Sequence, residues 1–262
     1  MKSITSLKNP AVQDARALAT AKERSRQRAF LLDGEHRVGE GLHTCPERVK
    51  TVFVDEKRIS QYENLLSLAK GEVYAVPEHV LAAISQVKTS QGIAAVCELP
   101  ESRSLADMGD KLILLENVQD PGNVGTVLRT LDAAGFDGCV FTPGCADPYG
   151  PKTLRATMGS TFRVPMCFVT DAAEAARELA ESGYAVIGAT LDGEPFYQRG
   201  KLPEKLCVII GNEGQGMTRE TLANCTHRYR LPMRGGAESL NAAVAAAIFM
   251  YELMNHRGGK PL

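Results

Sequence analysis

Five short apolar runs between residues 111 and 211 constrain the fold of this chain more than any other feature of its sequence. They read KLILLENV, GCVFT, VPMCFV, YAVIGAT and LCVIIG. Apolar runs that do not alternate regularly with polar residues are typical of strands buried on both faces. Helical segments are predicted between the runs, at about 124–135, 151–158, 171–182 and 218–224. The pattern therefore predicts an α/β fold with a mostly parallel sheet and helices on both faces.

A further helix is predicted from about 240 to 253, where the sequence is rich in alanine. Its larger apolar residues recur at spacings of three and four, which indicates one buried face. That predicted face consists of Leu240, Val244, Ala247, Ile248 and Tyr251. Because small residues let a neighbouring backbone approach closely, this helix is predicted to be a packing element.

The first 105 residues or so predict a smaller mixed α/β domain. Its predicted strands are 30–32, 49–56, 72–76 and 92–99, and its predicted helices are 12–28, 61–69 and one that begins at 77–78. The stretch ELPESRSLADMGD, with its proline, serines and charges, is predicted to be a linker. The predicted division is a domain over 1–100, a linker over 101–110 and a second domain over 111–262.

Composition excludes several classes of protein. A chain of 262 residues with 44% hydrophobic composition can bury a sizeable core. No apolar run reaches the roughly 18 residues of a membrane span, and the first residues contain no apolar signal core, so a cytoplasmic location is expected. The seven cysteines form no CxxC pair and the five histidines have no ligand spacing. No metal and no redox role is therefore expected.

Basic residues are concentrated near the amino terminus although the net charge is only -1. Seven of them lie before residue 29, against two acidic residues, and we call these seven the basic stripe: Lys2, Lys8, Arg16, Lys22, Arg24, Arg26 and Arg28. Such a cluster can neutralise phosphates of a nucleic acid. A solvated helix face is the alternative interpretation.

Three glycine-containing loops follow predicted strands, where ligands of open parallel sheets bind. Loop 1 (NVQDPGNVG) lacks the G-x-G-x-x-G dinucleotide fingerprint, and loop 2 (GNEGQGM) lacks the GK[ST] of a phosphate-binding loop. Loop 3 (LPMRGGAESLN) leads into the last helix, where free backbone N–H groups could hold a ligand. Taken singly, each loop also has a structural interpretation: a tight turn, a connection with a solvated Glu, or a helix cap.

The ordered set of all three loops resembles the three motifs of the SpoU/TrmH family of RNA ribose 2′-O-methyltransferases, in the SPOUT superfamily. The segments that carry the resemblance are NVQDPGNVGTVLRT, VIIGNEGQGM and LPMRGGAESLNAAVAAAIFMYE. ITSLKNPAVQDARAL and RAFLLDGEHRVGEGL are similar to an amino-terminal substrate-binding domain, related to a ribosomal-protein fold, that many members carry. One departure is visible: where many members read SLNVS, this chain reads SLNAA and has Ala243 in place of a serine.

The resemblance implies a knotted sheet, a homodimer with active sites at its interface, and S-adenosylmethionine (SAM) bound inside the knot. It implies catalytic roles for Asn123, Arg129, Glu213, Ser239 and Asn241, and cofactor contacts by Thr190, Gly211, Asn212, Leu231, Met233 and Leu240. A guanidinium is effectively always protonated. Arg129 is therefore expected to anchor a phosphate and stabilise the developing alkoxide, oriented by Asn123 and Glu213. Ser239 and Asn241 are expected to hold the cofactor.

RNA is the expected partner because a ribose 2′-hydroxyl distinguishes RNA from DNA. A site in 23S ribosomal RNA is favoured, and transfer RNA is the alternative target. Three other functions remain open at this point: a catalytically silent RNA-binding or ribosome-assembly factor, a base methyltransferase, and a nicotinamide oxidoreductase. The missing dinucleotide fingerprint disfavours the last of these.

Overall fold

The computed structural model describes residues 1–87 and 89–254 of the chain. These residues form two compact units. One contains Met1–Glu101 together with Tyr149–Phe162, and the other contains Ser102–Pro148 and the chain from Arg163 onward. The sequence predicted a single division near residues 101–110, and this remains a prediction for the folding domains. The contacts add the 149–162 segment, which is distant in sequence, to the first unit.

The described residues contain eleven strands and ten α-helices. The strands are β1 (Lys2–Ser3), β2 (Ala29–Asp33), β3 (Val49–Asp55), β4 (Glu72–Val76), β5 (Ile93–Glu98), β6 (Lys111–Leu115), β7 (Gly138–Phe141), β8 (Met166–Phe168), β9 (Ala185–Pro195), β10 (Leu206–Ile210) and β11 (His227–Arg230). The helices are α1 (Pro10–Ala17), α2 (Ala21–Gln27), α3 (Glu35–Thr44), α4 (Glu63–Leu66), α5 (Glu78–Ile84), α6 (Pro121–Ala134), α7 (Pro151–Thr157), α8 (Ala172–Glu181), α9 (Arg219–Ala223) and α10 (Ala242–Met254).

The sheet of the second unit has the order β11-β9-β10-β6-β7-β8, and every neighbouring pair is parallel. This confirms the predicted parallel α/β architecture. Leu112 and Leu114 belong to a buried cluster with Ala176 and Leu179 of α8. Ile113 lies between them on the strand, points to the opposite face and is also buried. The apolar run is therefore continuous because both faces of the strand are covered.

The first unit has a five-stranded mixed sheet of order β1-β4-β3-β5-β2, in which β5 is antiparallel to both of its neighbours. The four predicted strands of this region are all present. The helix predicted at 61–69 is shorter in the structure. The chain forms a 3₁₀ helix over Glu56–Tyr62, and the α-helix α4 that follows is a single turn.

The predicted helix over 12–28 is two helices, α1 and α2. The break is encoded by Thr20 and Glu23, which have the spacing of a capping box. The Thr20 hydroxyl accepts a hydrogen bond of 3.4 Å from the Glu23 backbone N–H and so begins a new helix. Arg24 is 6% exposed, and its guanidinium donates to the Leu18 and Ala19 carbonyls at 2.8 and 3.1 Å.

The basic stripe is consequently not a free cationic surface along its whole length. Besides the buried Arg24, three members are engaged: Lys2 pairs with Glu72, Arg26 pairs with Glu23, and Arg28 donates to the Pro100 carbonyl. Lys8, Arg16 and Lys22 are exposed, and their side chains have no hydrogen bond or ion pair to the described residues. The proposal that the stripe binds RNA stays a prediction, but Arg24 would have to break its hydrogen bonds to the Leu18 and Ala19 carbonyls to take part in it.

The predicted buried face of α10 is wrong. The residues that are buried are Ala243, Ala246, Phe249, Met250 and Leu253. Leu240, Val244 and Tyr251 are 36%, 47% and 46% exposed. Because the helix is apolar nearly all around, spacing alone could not decide which side faces the core.

Two short strands, β1 and β11, were not predicted. In β11 the sequence HRYR places only Tyr229 in the core, while Arg228 and Arg230 are exposed. β11 is an edge strand, and edge strands commonly carry charge. Within the described residues no helix is long and apolar enough to cross a membrane.

Replacing Arg24 by Met should destabilise the fold, because two helix-end carbonyls lose a charged donor. We expect a loss of about 1–3 kcal/mol in the free energy of unfolding, measured by urea denaturation. Lys22→Met is the matched control, since Lys22 lies on the same helix and is exposed; it should change stability by no more than about 0.5 kcal/mol. Equal effects of the two substitutions would contradict this role for Arg24.

Candidate active site

Three connections meet at the carboxyl edge of the parallel sheet. Loop 1 follows β6, loop 2 (Gly211–Met217) follows β10, and loop 3 (Leu231–Asn241) follows β11. β6 pairs with β10, β10 with β9, and β9 with β11. Since parallel strands end on one side of a sheet, the topology alone brings these distant stretches of sequence together.

Glu213 of loop 2 joins loop 1 through three hydrogen bonds. One carboxylate oxygen accepts from the Asn123 side-chain amide at 2.9 Å and from the Asp120 N–H at 3.2 Å, and the other accepts from the Gln119 N–H at 3.3 Å. Asp120 in turn caps α6 by accepting from the Asn123 N–H at 2.8 Å. The carboxylate therefore fixes the start of α6 against loop 2.

Asn241 extends this connection to loop 3. Its side-chain N–H donates to the Asn123 side-chain oxygen at 2.8 Å, and its own side-chain oxygen accepts from the Ala243 and Val244 N–H groups at 2.9 and 3.3 Å. Asn241 thus caps α10 and holds Asn123 at the same time. The result is one continuous hydrogen-bond chain, Asn241–Asn123–Glu213, that links all three loops.

The hydrogen bonds around Glu213 lower its pKa below the ordinary glutamate value. Partial burial is the largest single influence and raises the pKa, but the donors from Asn123, Asp120, Gln119 and the Glu213 backbone together outweigh it. Donors stabilise the charged form of a carboxylate. Glu213 is therefore an anion that organises the loops rather than a group near its titration point at neutral pH.

Loop 2 is held in shape by its own backbone. Asn212 and Gly216 exchange two backbone hydrogen bonds of 3.0 and 2.9 Å, and the Asn212 side chain accepts from the Gly214 and Gln215 N–H groups. Gly216 has a φ of +70°. A Cβ on Gly211 would lie 2.4 Å from the backbone of Gly216 and Met217, so only glycine fits at this point of closure.

A cavity of about 750 Å³ opens beside loops 2 and 3. All six predicted cofactor residues line it: Thr190, Gly211, Asn212, Leu231, Met233 and Leu240. Of the five predicted catalytic residues, Glu213, Ser239 and Asn241 also line it, and Asn123 is hydrogen-bonded to two of these. Their chemical roles remain predictions. The structure itself brings ten of the eleven residues together, nine in the cavity wall and Asn123 hydrogen-bonded to two of these.

Arg129 is the exception. It is exposed and is not among the residues that line the cavity. It lies six positions after Asn123 on the helix, which corresponds to about 9 Å along the helix and about 120° around it. Neither Asn123 nor Glu213 donates to or accepts from Arg129; their side chains bond to each other, to Asn241 and to loop 1. Among the described residues these side chains therefore make no hydrogen bond to Arg129, and their role in orienting it stays a prediction.

Glu116 is a site residue that the sequence analysis missed. It follows β6, is 6% exposed, and accepts from the Thr218 and Thr221 hydroxyls at 2.8 and 2.9 Å and from the Thr218 N–H at 3.3 Å. It thereby fastens the far end of loop 2 to the start of loop 1. The sequence does contain an indication of this role: Glu116 directly follows the apolar strand KLILL, and a carboxylate buried there needs hydrogen-bond donors.

Asn117 was also missed. It has a φ of +54°, which is uncommon for a residue other than glycine, although Asn tolerates this conformation better than most. Its N–H donates to the Thr142 hydroxyl at 3.0 Å, and its carbonyl accepts from the Asn212 side chain at 2.9 Å. Asn117 therefore connects loop 1 both to loop 2 and to the turn after β7.

The family model described as the SpoU rRNA methylase family matches residues 110–251. This match spans more than half of the chain and includes all three loops. The chain belongs to the SpoU rRNA methylase family. A second model, the MRM3-like substrate binding domain, matches residues 9–95. The resemblance inferred from the three motifs and from the amino-terminal segments is confirmed.

Characterised relatives support this membership over nearly the whole chain. The 23S rRNA (guanosine(2553)-2′-O)-methyltransferase RlmP of Bacillus subtilis is 40% identical over 255 residues, which cover 97% of this chain and 99% of that protein. The 23S rRNA (guanosine-2′-O-)-methyltransferase RlmB of Bordetella pertussis is 31% identical over 243 residues, covering 87% and 98%.

Solved structures of the family share the fold. The AdoMet-bound rRNA methyltransferase from Sinorhizobium meliloti superposes with a TM-score of 0.84 at 30% identity, covering 98% of this chain and 99% of that one. The SpoU methyltransferase AviRb from Streptomyces viridochromogenes, in complex with the cofactor AdoMet, has a TM-score of 0.84 at 26% identity, covering 97% and 100%. The predicted SPOUT-type α/β fold is confirmed.

Replacing Glu116 by Gln should loosen loop 2, because Thr218 and Thr221 lose a charged acceptor. We expect the free energy of unfolding to fall by about 1–3 kcal/mol and SAM to bind more weakly, as measured by urea denaturation and titration calorimetry. Glu220→Gln, at an exposed position one residue into α9, is the matched control and should change neither quantity. The assignment is wrong if the two variants behave alike.

Replacing Glu213 by Gln should change how stability depends on pH. Folding lowers the pKa of Glu213, so its favourable contribution is present above the ordinary glutamate value of about 4.3 and is lost as the pH falls through the lowered value. The difference in unfolding free energy between wild type and variant should be constant above about pH 5 and shrink below about pH 4. Urea denaturation across this range measures it, and a difference that grows on acidification contradicts the assignment.

Proposed function

We propose that this protein transfers a methyl group from SAM to the ribose 2′-hydroxyl of a guanosine in 23S ribosomal RNA. The observation that carries the proposal is the convergence of loops 1, 2 and 3, through the Asn241–Asn123–Glu213 chain, beside a single cavity. RlmP and RlmB, whose names specify a guanosine 2′-O position in 23S rRNA, support the choice of substrate. A ribosomal substrate is also consistent with the expected cytoplasmic location.

The cavity fits SAM in size and in chemistry. Its volume of about 750 Å³ lies within the range of small-molecule sites. Leu231, Met233 and Leu240 supply an apolar wall, and the closed turn at Gly211 brings backbone groups to the surface of the cavity. Polar side chains are few and convergent, as in sites that orient a ligand. When bound, the cofactor supplies a methyl group already activated on a sulfonium.

The protein must then align the ribose oxygen with that methyl group and support its loss of a proton. Positioning alone can contribute about 7–11 kcal/mol in well-oriented systems. In our proposal Arg129 anchors a phosphate of the target nucleotide through two parallel N–H groups and stabilises the developing alkoxide. Ser239 and Asn241 hold the cofactor side, and Glu213 keeps Asn123 and loop 1 in place.

A homodimer reconciles this role with the exposed position of Arg129. The α6 helix, which carries Arg129, packs against α10. Val244 and Tyr251 of α10 and Leu240 of loop 3 are exposed. A second copy that covers these apolar side chains could place the Arg129 of one protomer at the cavity of its partner. The knot implied by the family resemblance belongs to the same proposal, with loop 3 as part of the threaded segment.

Methyl transfer to 23S rRNA from cells that lack the gene is the decisive experiment. Wild-type protein should methylate one ribose 2′-oxygen, located by 2′-O-methyl mapping. Arg129→Lys should lower kcat by about 100-fold or more, because a single ammonium cannot replace a bidentate guanidinium. SAM affinity should remain within about threefold of wild type, since Arg129 does not line the cavity.

Arg177→Lys provides the matched control, because Arg177 is an exposed arginine on α8. Near-wild-type turnover by Arg129→Lys would refute the bidentate role. Methylation of a base would refute the 2′-O assignment, and SAM binding without methyl transfer to any cellular RNA would support the silent-factor alternative. Recovery of turnover on mixing Arg129→Lys with Asn241→Ala chains would support a site shared between protomers.

A further inference from the structure

We propose that Arg37 and Arg155 together form a binding site for a backbone phosphate of the RNA substrate. The inference rests on the proposed function for the identity of the substrate and adds to it a specific contact in the first unit. Both residues belong to that unit, although Arg37 comes from the region matched by the substrate-binding model and Arg155 from the region matched by the methylase model. Neither residue belongs to the three loops or to the basic stripe.

The packing of α3 against residues 159–162 places the two arginines on neighbouring elements of the first unit. Arg37, Glu40 and Gly41 share one face of α3, because residues three and four apart are neighbours on a helix. A Cβ on Gly41 would lie 3.5 Å from the Phe162 ring, and one on Gly159 would meet the Glu40 carboxylate. The two segments therefore run alongside each other. Arg37 lies one turn before Gly41, and Arg155 lies four residues before Gly159.

The electrostatics of Arg37 agree with this placement. Burial lowers its pKa most strongly, the Asp33 carboxylate raises it, and the Arg155 guanidinium lowers it again, as expected for two cations close enough to repel each other. One amino group of Arg37 donates to the Asp33 backbone carbonyl. Arg155 is exposed, and its side chain has no hydrogen bond or ion pair to the described residues. Two adjacent guanidiniums with unused donors suit a shared, doubly coordinated anion.

Neither neighbouring carboxylate, Asp33 or Glu40, forms an ion pair with both arginines among the described residues. One oxygen of Asp33 accepts from the Ser85 hydroxyl and the Gln86 N–H, both at 2.8 Å, and its other oxygen is buried without a hydrogen bond among the described residues. Glu40 lies one turn further along α3, against Gly159. Lys152, exposed one turn before Arg155 on α7, adds a third cation on the solvent side.

RNA phosphate is the favoured ligand for two reasons. Guanidinium pairs recognise phosphate oxygens bidentately, and most of the sequence-independent affinity of a nucleic-acid-binding protein comes from such contacts. In addition, four of the seven cations of the basic stripe are engaged within the protein. The RNA affinity of this unit therefore needs a source other than an uninterrupted stripe.

Binding of 23S rRNA to the full-length protein, measured at several salt concentrations, tests the site. The variants are Arg37→Gln, Arg155→Gln and their double, with Lys70→Gln as the control for the loss of one exposed charge in the same unit. The double variant should bind RNA at least about tenfold more weakly and show a salt slope reduced by about 0.9, the value for one phosphate. It should bind SAM normally, with a raised KM for RNA and a nearly unchanged kcat.

The double variant should also lose less affinity than the sum of the two single variants, because both side chains bind one group. Wild-type RNA affinity and salt slope in the double variant would overturn the proposal, as would an equal loss in Lys70→Gln. Arg155→Gln decides the question alone if Arg37→Gln proves unstable. Competition by inorganic phosphate, without any effect of the variants on RNA binding, would assign the site to a small anion and also overturn it.

The failure of this inference can be distinguished from failure of the proposed function. If the wild-type protein methylates 23S rRNA and the variants bind RNA normally, only the phosphate site is wrong. If the variants weaken RNA binding but the wild-type protein methylates no RNA, the site stands and the enzymatic assignment fails.

Discussion

The arrangement of the three loops depends on the Glu213 carboxylate, which accepts hydrogen bonds from neutral backbone and side-chain N–H groups and forms no ion pair among the described residues. Glu213 receives hydrogen bonds from Asn123 and from two N–H groups of loop 1, and Asn123 is in turn held by Asn241. Glu213, Asn123 and Asn241 each belong to a different loop. Their hydrogen bonds therefore fix the relative positions of three loops that the sheet topology only brings near one another. Glu116, at the start of loop 1, is a second, buried carboxylate, and it bonds to Thr218 and Thr221 just after loop 2.

The sheet supplies rigidity and the loops supply the cavity. Strands β6 and β10 are buried on both faces, so the points from which loops 1 and 2 depart are fixed. Loop 2 closes on itself through Asn212 and Gly216, which leaves its outer surface to line the cavity. This division matches the general requirement that the residues of a site be held in place by packing and by hydrogen bonds from the residues around them.

Much of this organisation was predictable because it is local. Unbroken apolar runs identify buried parallel strands, and the order of the three loops identifies the family. What was missed depends on tertiary context: α10 is apolar on nearly every side, β11 is polar because it is an edge strand, and Glu116 acquires its meaning only from Thr218, more than a hundred residues away. The break before α2 was encoded locally, in the capping box at Thr20, and was overlooked. Arg129 differs from these residues, because it is exposed and does not line the cavity, and the role proposed for it involves a second copy of the chain.

A crystal structure of the protein with S-adenosylhomocysteine tests the central claim most directly. The account predicts that the ligand lies in the cavity formed by residues 189–192, loop 2 and loop 3, in contact with Gly211, Leu231 and Leu240, and that the Asn241–Asn123–Glu213 chain remains intact beside it. A ligand bound elsewhere on the protein, or a bound state in which these three loops separate, would contradict it.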